Sequence, residues 1–230
     1  MAALNPMNPF LPAIRRFAWP LLTVLVLSGA GCTNPFEPAT PEPPDPGGVP
    51  EDFSSPEHLL ATLELAIEDK GSSTGRLAWA NAMADSSGPG TRNFVANHDP
   101  RVLSAWVLGS PVPPPSPWGL YEERRFYDKF VTVYPKEYTM TFAPDSTSPL
   151  DIIDESAGTA LLHRRYNVTA KTSSSTAIIA IGYVDLVLVK YDGRWWVLRW
   201  EDRLDDAIGV DPADQDNRTI GWRRLDSVSS

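Results

Sequence analysis

Apolar side chains along this chain fall into successive rhythms, and each rhythm predicts a different kind of element. After Ser54, Ser55, Pro56 and Glu57, the positions Leu59, Leu60, Leu63, Ala66 and Ile67 recur at helical spacing, with Gly71 placed to close the helix. Either serine can cap the helix, the proline pre-sets its first turn, and the glutamate suits its positive end. A second helix starts near Ser73 or Thr74, with Leu77, Ala80, Met83 and Ala84 as its inner stripe. Phe94 to Leu108 fits a short strand and a turn. Five prolines between Ser110 and Pro117 make that segment a loop. A third helix follows from Trp118 to Val131, offering Tyr121, Phe126, Phe130 and Val131 for burial.

Beyond Val131 the period changes to two. Tyr138, Met140 and Phe142 alternate with Glu137, Thr139 and Thr141, the mark of a half-buried strand. A polar loop spans 144–158, and further strands are predicted at 159–171, 176–191 and 194–203. Asp192-Gly193 joins the last two as a two-residue hairpin. Helices followed by antiparallel strands predict an α+β fold with the helices gathered on one face of the sheet.

The hairpins also predict registers. A two-residue turn pairs Tyr191 with Arg194, and so Val189 with Trp196, Val187 with Leu198, Asp185 with Trp200 and Tyr183 with Asp202. A turn near Thr172–Ser175 aligns Val168 with Ile179, Tyr166 with Ile181, Arg164 with Tyr183, and Leu162 with Asp185. On these registers Arg164, Tyr183, Asp185 and Asp202 interrupt one apolar face as a four-residue polar cluster. Three readings of it stand open. It is a structural ion pair with Tyr183 as hydrogen-bond partner, the polar floor of a ligand pocket, or a catalytic site with Asp185 or Asp202 as base. A neighbouring guanidinium would hold both carboxylates as anions and so weakens the last.

The same registers put Trp195, Val197, Leu188, Val184 and Ile178 on the outer face as an apolar patch. That patch is covered either by a second copy of the chain or by the C-terminal segment with Ile220 and Trp222. His163 falls opposite Arg164 as a solvated residue, His98 lies in a loop near Asp99-Pro100, and His58 is in the first helical turn. Their spacing makes no metal site, and neither a phosphate-binding glycine loop nor a nucleophile elbow is present. No cofactor is expected.

The N-terminal region carries its own signal. Arg15 and Arg16 precede an eleven-residue apolar stretch, Phe17 to Leu27, and the small residues Ser28 to Gly31 lead to Cys32, the only cysteine. This resembles a bacterial lipoprotein signal peptide over residues 1–31, which implies that Cys32 is acylated as the first residue of the mature protein. Gly29 departs from the leucine most common three residues before such a cysteine. The apolar stretch is too short to span a bilayer, which needs about 20 residues. Seven prolines between Thr33 and Pro50 make residues 32–52 a tether. The domain proper is expected at 53–207, followed by a segment at 208–230. Thr33 is not the aspartate that holds such lipoproteins at the inner membrane, so an outer-membrane position is favoured.

The formal net charge is −9, and removal of residues 1–31 takes away two arginines and no acids, leaving −11. So acidic a domain, without a basic stripe, excludes nucleic acid as an expected partner. With Cys32 consumed by lipid, no thiol nucleophile or disulfide remains.

The opening Ser55-Pro56-Glu57-His58-Leu59-Leu60 helix and the closing hairpin Val187 to Asp202, around Tyr191-Asp192-Gly193-Arg194-Trp195-Trp196, resemble the nuclear-transport-factor-like superfamily of ketosteroid isomerases, polyketide cyclases and binding domains. The resemblance covers residues 53–207. It implies a cone, with three N-terminal helices packed in the concave face of a curved, mainly antiparallel sheet and a pocket at the wide end. It is specific to fold, and no residue here matches that superfamily's catalytic motif. The expected function is a membrane-anchored, non-catalytic binding or protein-interaction module. The alternative is a small-molecule enzyme of the isomerase or cyclase kind, with Tyr183 as the oxyanion donor.

Overall fold

The computed structural model describes residues 48–69, 72–86, 92–110, 113–133, 137–171, 174–205 and 218–228. The signal peptide, Cys32, most of the proline-rich tether and Gly71 lie outside the described residues.

Helix α1 (Pro56–Glu68) begins where its capping residues predict. The Ser55 hydroxyl accepts from the His58 amide at 3.1 Å, and Leu59, Leu60, Leu63, Ala66 and Ile67 are buried. Helix α2 (Ser73–Ala82) is capped by Ser72, and of the expected stripe Ala80, Met83 and Ala84 are buried whereas Leu77 is not. Trp79 and Ala78 are buried with Ala80, while Leu77 is 55% exposed. Strand β1 (Val95–Asn97) leads into helix α3 (Pro100–Gly109), where a turn was expected; Asp99 caps it and Pro100 opens it. Helix α4 (Leu120–Val133) buries Phe126, Tyr127, Phe130 and Val131, whereas Tyr121 faces water.

The strands follow the predicted bounds closely: β2 (Glu137–Pro144), β4 (Thr159–Lys171), β5 (Thr176–Tyr191) and β6 (Arg194–Arg203), with a short β3 (Ile152–Asp154) inside the expected loop. They form one curved, open, mixed sheet in the order β1-β6-β5-β4-β2, with β3 also on β4. Among these strands β1 on β6 is the one parallel pair, and the others are antiparallel. The β5–β6 turn places Asp192 at φ 50° and Gly193 at φ 74°, the left-handed pair that a two-residue hairpin turn requires. Helix α5 (Ile220–Asp226), inside the segment expected after the domain, packs back against α3, α4 and β5.

Both predicted registers hold next to their turns and then slip by one. In β5–β6, Tyr191 pairs with Arg194 and Val189 with Trp196. Past Leu198, which has no partner, the pairs become Val187 with Arg199, Asp185 with Glu201, Val184 with Asp202 and Tyr183 with Arg203. In β4–β5, Thr169 pairs with Ile178, but past the extra residue Ile179 the pairs become Val168 with Ala180, Arg164 with Val184 and His163 with Asp185. Each slip is a β-bulge, and a one-residue slip exchanges the faces of every residue beyond it. The central strand β5 is therefore inverted relative to expectation. Val184, Leu186 and Leu188 point into the cone with Trp195 and Val197, all five fully buried. The expected outer patch of Trp195, Val197, Leu188 and Val184 is core, and of its five members only Ile178 is exposed.

The core inside the sheet is rich in aromatic rings. Trp79 stacks on Tyr127 with centroids 5.5 Å apart and leans on Trp200 at 6.2 Å. A smaller cluster of Val102, Trp106, Trp222 and Leu225 joins α3 to α5.

Candidate functional site

The inversion of β5 divides the four predicted site residues between the two faces of the sheet. Arg164 and Asp202 point into the cone; Tyr183 and Asp185 point out. They do not meet as one cluster.

On the concave side, Asp202 is 3% exposed and Tyr166 is fully buried. The Tyr166 hydroxyl donates to Asp202 Oδ1 at 2.7 Å and accepts from the Ile220 amide at 2.8 Å. Asp202 Oδ2 accepts from the Gly221 amide at 2.9 Å. Burial lifts the Asp202 carboxyl above its ordinary range, against the opposing pull of Tyr166, Arg224, Thr219 and Gly221. Burial, reinforced by the Asp202 charge, raises the Tyr166 hydroxyl well above its own. Gly221 is required here, because a Cβ at that position would come within 2.5 Å of Asp202 Oδ2.

One helical turn further along α5, Arg224 lies fully buried against a fully buried Glu123 of α4. Two 2.8 Å bonds from Nε and Nη2 make the pair bidentate. Trp118 Nε1 donates to the same carboxylate at 2.9 Å, and the guanidinium sits 4.7 Å from the Trp200 ring and 5.6 Å from Phe126. His98 stands beside this pair, edge-on to Trp118. Burial, and then the nearby Arg224 charge, push its pKa down to about 3, so it is neutral. Among the described residues, both His98 ring nitrogens and Arg224 Nη1 are buried without a hydrogen-bond partner.

Arg164 does not reach Asp185 or Asp202. Its Nη1 bonds Asp151, 2.7 Å away, in the loop joining β2 to β3, and the His163 carbonyl at 3.0 Å. Its place explains its role: Pro144 of β2 pairs with Arg164, and β3 takes over the same edge of β4 at Leu161. The guanidinium ties down the loop that makes that exchange.

On the convex side, Asp185 accepts from Arg203 Nη2 at 2.8 Å and contacts His163 Nδ1 at 2.7 Å. His163, expected to be solvated, is only 9% exposed. Arg203 also reaches Ser148 at 3.2 Å and packs over the Tyr183 ring. Asp145, bonded by Thr147 and Ser148, is held down to about 2: burial works the other way, and these hydrogen bonds and Arg203 outweigh it. No group of three or more His, Cys, Asp or Glu among the described residues is placed to hold a metal ion.

Two residues central to the concave site escape the periodicity argument, Glu123 and Arg224. Glu123 does leave a trace, since it lies three and four positions before the buried Phe126 and Tyr127 and so on the inner stripe of α4.

The class these features define is the α+β cone, helices held in a curved sheet. No family model and no curated protein matches the sequence. Among solved structures the chain is similar to a protein of unknown function from Mycobacterium tuberculosis, with 19% identity over 74% of this chain and 90% of that one, at a TM-score of 0.48. It is also similar to a Nostoc punctiforme protein of unknown function with a cystatin-like fold (11% identity, 65% and 87% covered, TM-score 0.42). A third is an NTF-2-like protein of unknown function from Shewanella oneidensis (17% identity, 64% and 93% covered, TM-score 0.37).

Proposed function

We propose that this chain is a lipid-anchored protein of the cell envelope whose cone is a non-catalytic recognition module. One observation carries the reading: the polar groups lining the concave face bind polypeptide. Tyr166 and Asp202 hold two backbone amides, and Glu123 holds a guanidinium, all supplied by α5. A carboxylate base for an isomerase or cyclase needs room for a substrate beside it. Asp202 instead has Gly221 against it, and Asp185 is tied to Arg203 and His163 on the other face.

The anchor in this proposal is acyl-Cys32, the compartment is the outer membrane, and the convex face is a surface for a second copy. There Ile152, Leu161 and Val187 lie side by side, with Ile152 61% exposed.

Hydrogen exchange on the full-length protein tests the recognition reading. The Ile220 and Gly221 amides are expected to exchange as slowly as the core strands. Fast exchange at both would mean an open cone mouth and would return the enzyme reading to first place. Palmitate labelling that is lost in Cys32→Ser, with release from the membrane fraction, is the outcome expected for the anchor.

A further inference from the structure

Everything that grips α5 comes from the body of the cone. Glu123 belongs to α4, Tyr166 to β4, and Trp200 and Asp202 to β6. The Ile181 amide of β5 donates to the Arg218 carbonyl at 3.1 Å. What is gripped comes from residues 218–228: the Ile220 and Gly221 amides, the Arg218 and Ser227 carbonyls, the Thr219 side chain, the Arg223 and Arg224 guanidinium groups and a few apolar side chains. Of the two guanidinium groups only that of Arg224 meets a carboxylate of the body. A seven-residue helix has too few internal hydrogen bonds to persist alone in water, so α5 takes its shape from its seat. This is how a receptor holds a helical peptide in a groove, with Arg, Trp and Leu as anchors.

The fit is also incomplete. Both His98 nitrogens, buried in the seat, have no partner, so the seat retains hydrogen-bonding capacity that α5 does not use, and Arg224 Nη1 of α5 is likewise unmatched by the seat. Complementarity of charge narrows the occupant. A fully buried Glu123 carboxylate in an aromatic box of Trp118, Phe126 and Trp200 demands a cation, and the paired bonds favour a planar guanidinium over an ammonium.

We propose that the seat of α5 at the cone mouth is a recognition site for an arginine-bearing peptide segment of a partner protein, which α5 occupies in cis. The proposal rests on the recognition reading above and names the partner class for that site. A covalently attached segment sees its seat at an effective concentration on the order of mM, so α5 acts as a built-in competitor. A partner segment displaces it by binding more tightly, and the small residue three places before the arginine, Gly221 in α5, sets the approach to Asp202.

The test uses a fluorescent peptide with the sequence of residues 218–226 and the full-length protein, read by anisotropy. Gly221→Val unseats α5 by collision with Asp202. This variant is expected to bind the peptide saturably and at least about tenfold more tightly than the wild type, where α5 competes. Citrulline in place of the peptide arginine matching Arg224 is expected to weaken binding by about tenfold or more, because it leaves Glu123 without a cation. If Gly221→Val does not fold, Arg224→Gln serves instead, since it removes the resident cation and keeps an uncharged hydrogen-bond donor on the side of α5 that faces Glu123. Absence of saturable binding to both variants, equal binding by wild type and variant, or indifference to citrulline would each overturn the proposal. Protected Ile220 and Gly221 amides without peptide binding would sink this inference alone, whereas unprotected amides would sink the recognition reading beneath it.

Discussion

Replacing Arg224 by Ala should be among the most damaging single changes in the domain. Both members of the Arg224–Glu123 pair are fully buried, so the deletion leaves a carboxylate in the aromatic core with only the Trp118 indole to bond it. Removing one partner of a buried pair costs about 3–5 kcal/mol. Loss of the guanidinium from the Trp200 and Phe126 ring faces adds about 1 kcal/mol, which favours the upper half of that range. For a domain of this size each kcal/mol shifts the melting temperature by about 2–4 °C, so the expected drop is roughly 8–20 °C. Urea unfolding followed by tryptophan fluorescence gives the free energy directly. The double variant Glu123→Gln with Arg224→Met should recover much of the loss, because no buried charge then remains. A loss below about 1 kcal/mol in the single variant would be the value of a solvated pair, and it would refute the burial argument.

Arg164→Ala should cost less, about 1–3 kcal/mol, because its partner Asp151 keeps access to water through a side chain that is 29% exposed; urea midpoints rank the two variants. Asp202 sets a pH dependence: its folded pKa is raised, so its contribution is present below the unfolded pKa and fades as pH rises through the folded one. Asp202→Asn should therefore flatten the decline of stability with rising pH in the acidic range, and parallel curves for the two proteins would contradict this. Asp145 works in the opposite sense, with stability present above its ordinary value near 3.8 and lost as pH falls toward about 2, and Asp145→Asn should remove that acid limb. Gly193→Val should cost about 1–2 kcal/mol by forcing a branched residue to φ 74°, a loss visible in the melting temperature.

The elements of this fold were legible because periodicity and punctuation agree in them. Ser55-Pro56 fixes the start of α1, and Asp192-Gly193 fixes a turn that pins its flanking pairs. What periodicity could not settle was the phase of β5. From Val184 to Val189 the sequence reads Val-Asp-Leu-Val-Leu-Val, apolar at both parities except for Asp185, so either face could be inside. Two bulges decide it, at Ile179 and at Leu198, and nothing in the identity of either residue marks an extra position in a ladder. The inversion sends Asp185 to Arg203 and His163 and leaves Asp202 with Tyr166, which dissolves the predicted four-residue cluster into two networks.

The remaining gap was one of sequence distance. Glu123 and Arg224 stand 101 positions apart, and no spacing rule links an acid on a helical stripe to a basic residue in a segment beyond the last strand. Yet each is anomalous by itself: a glutamate on the buried side of α4 needs a buried cation. With His98 neutral, the charge has to come from elsewhere in the chain, and Arg224 of α5 supplies it.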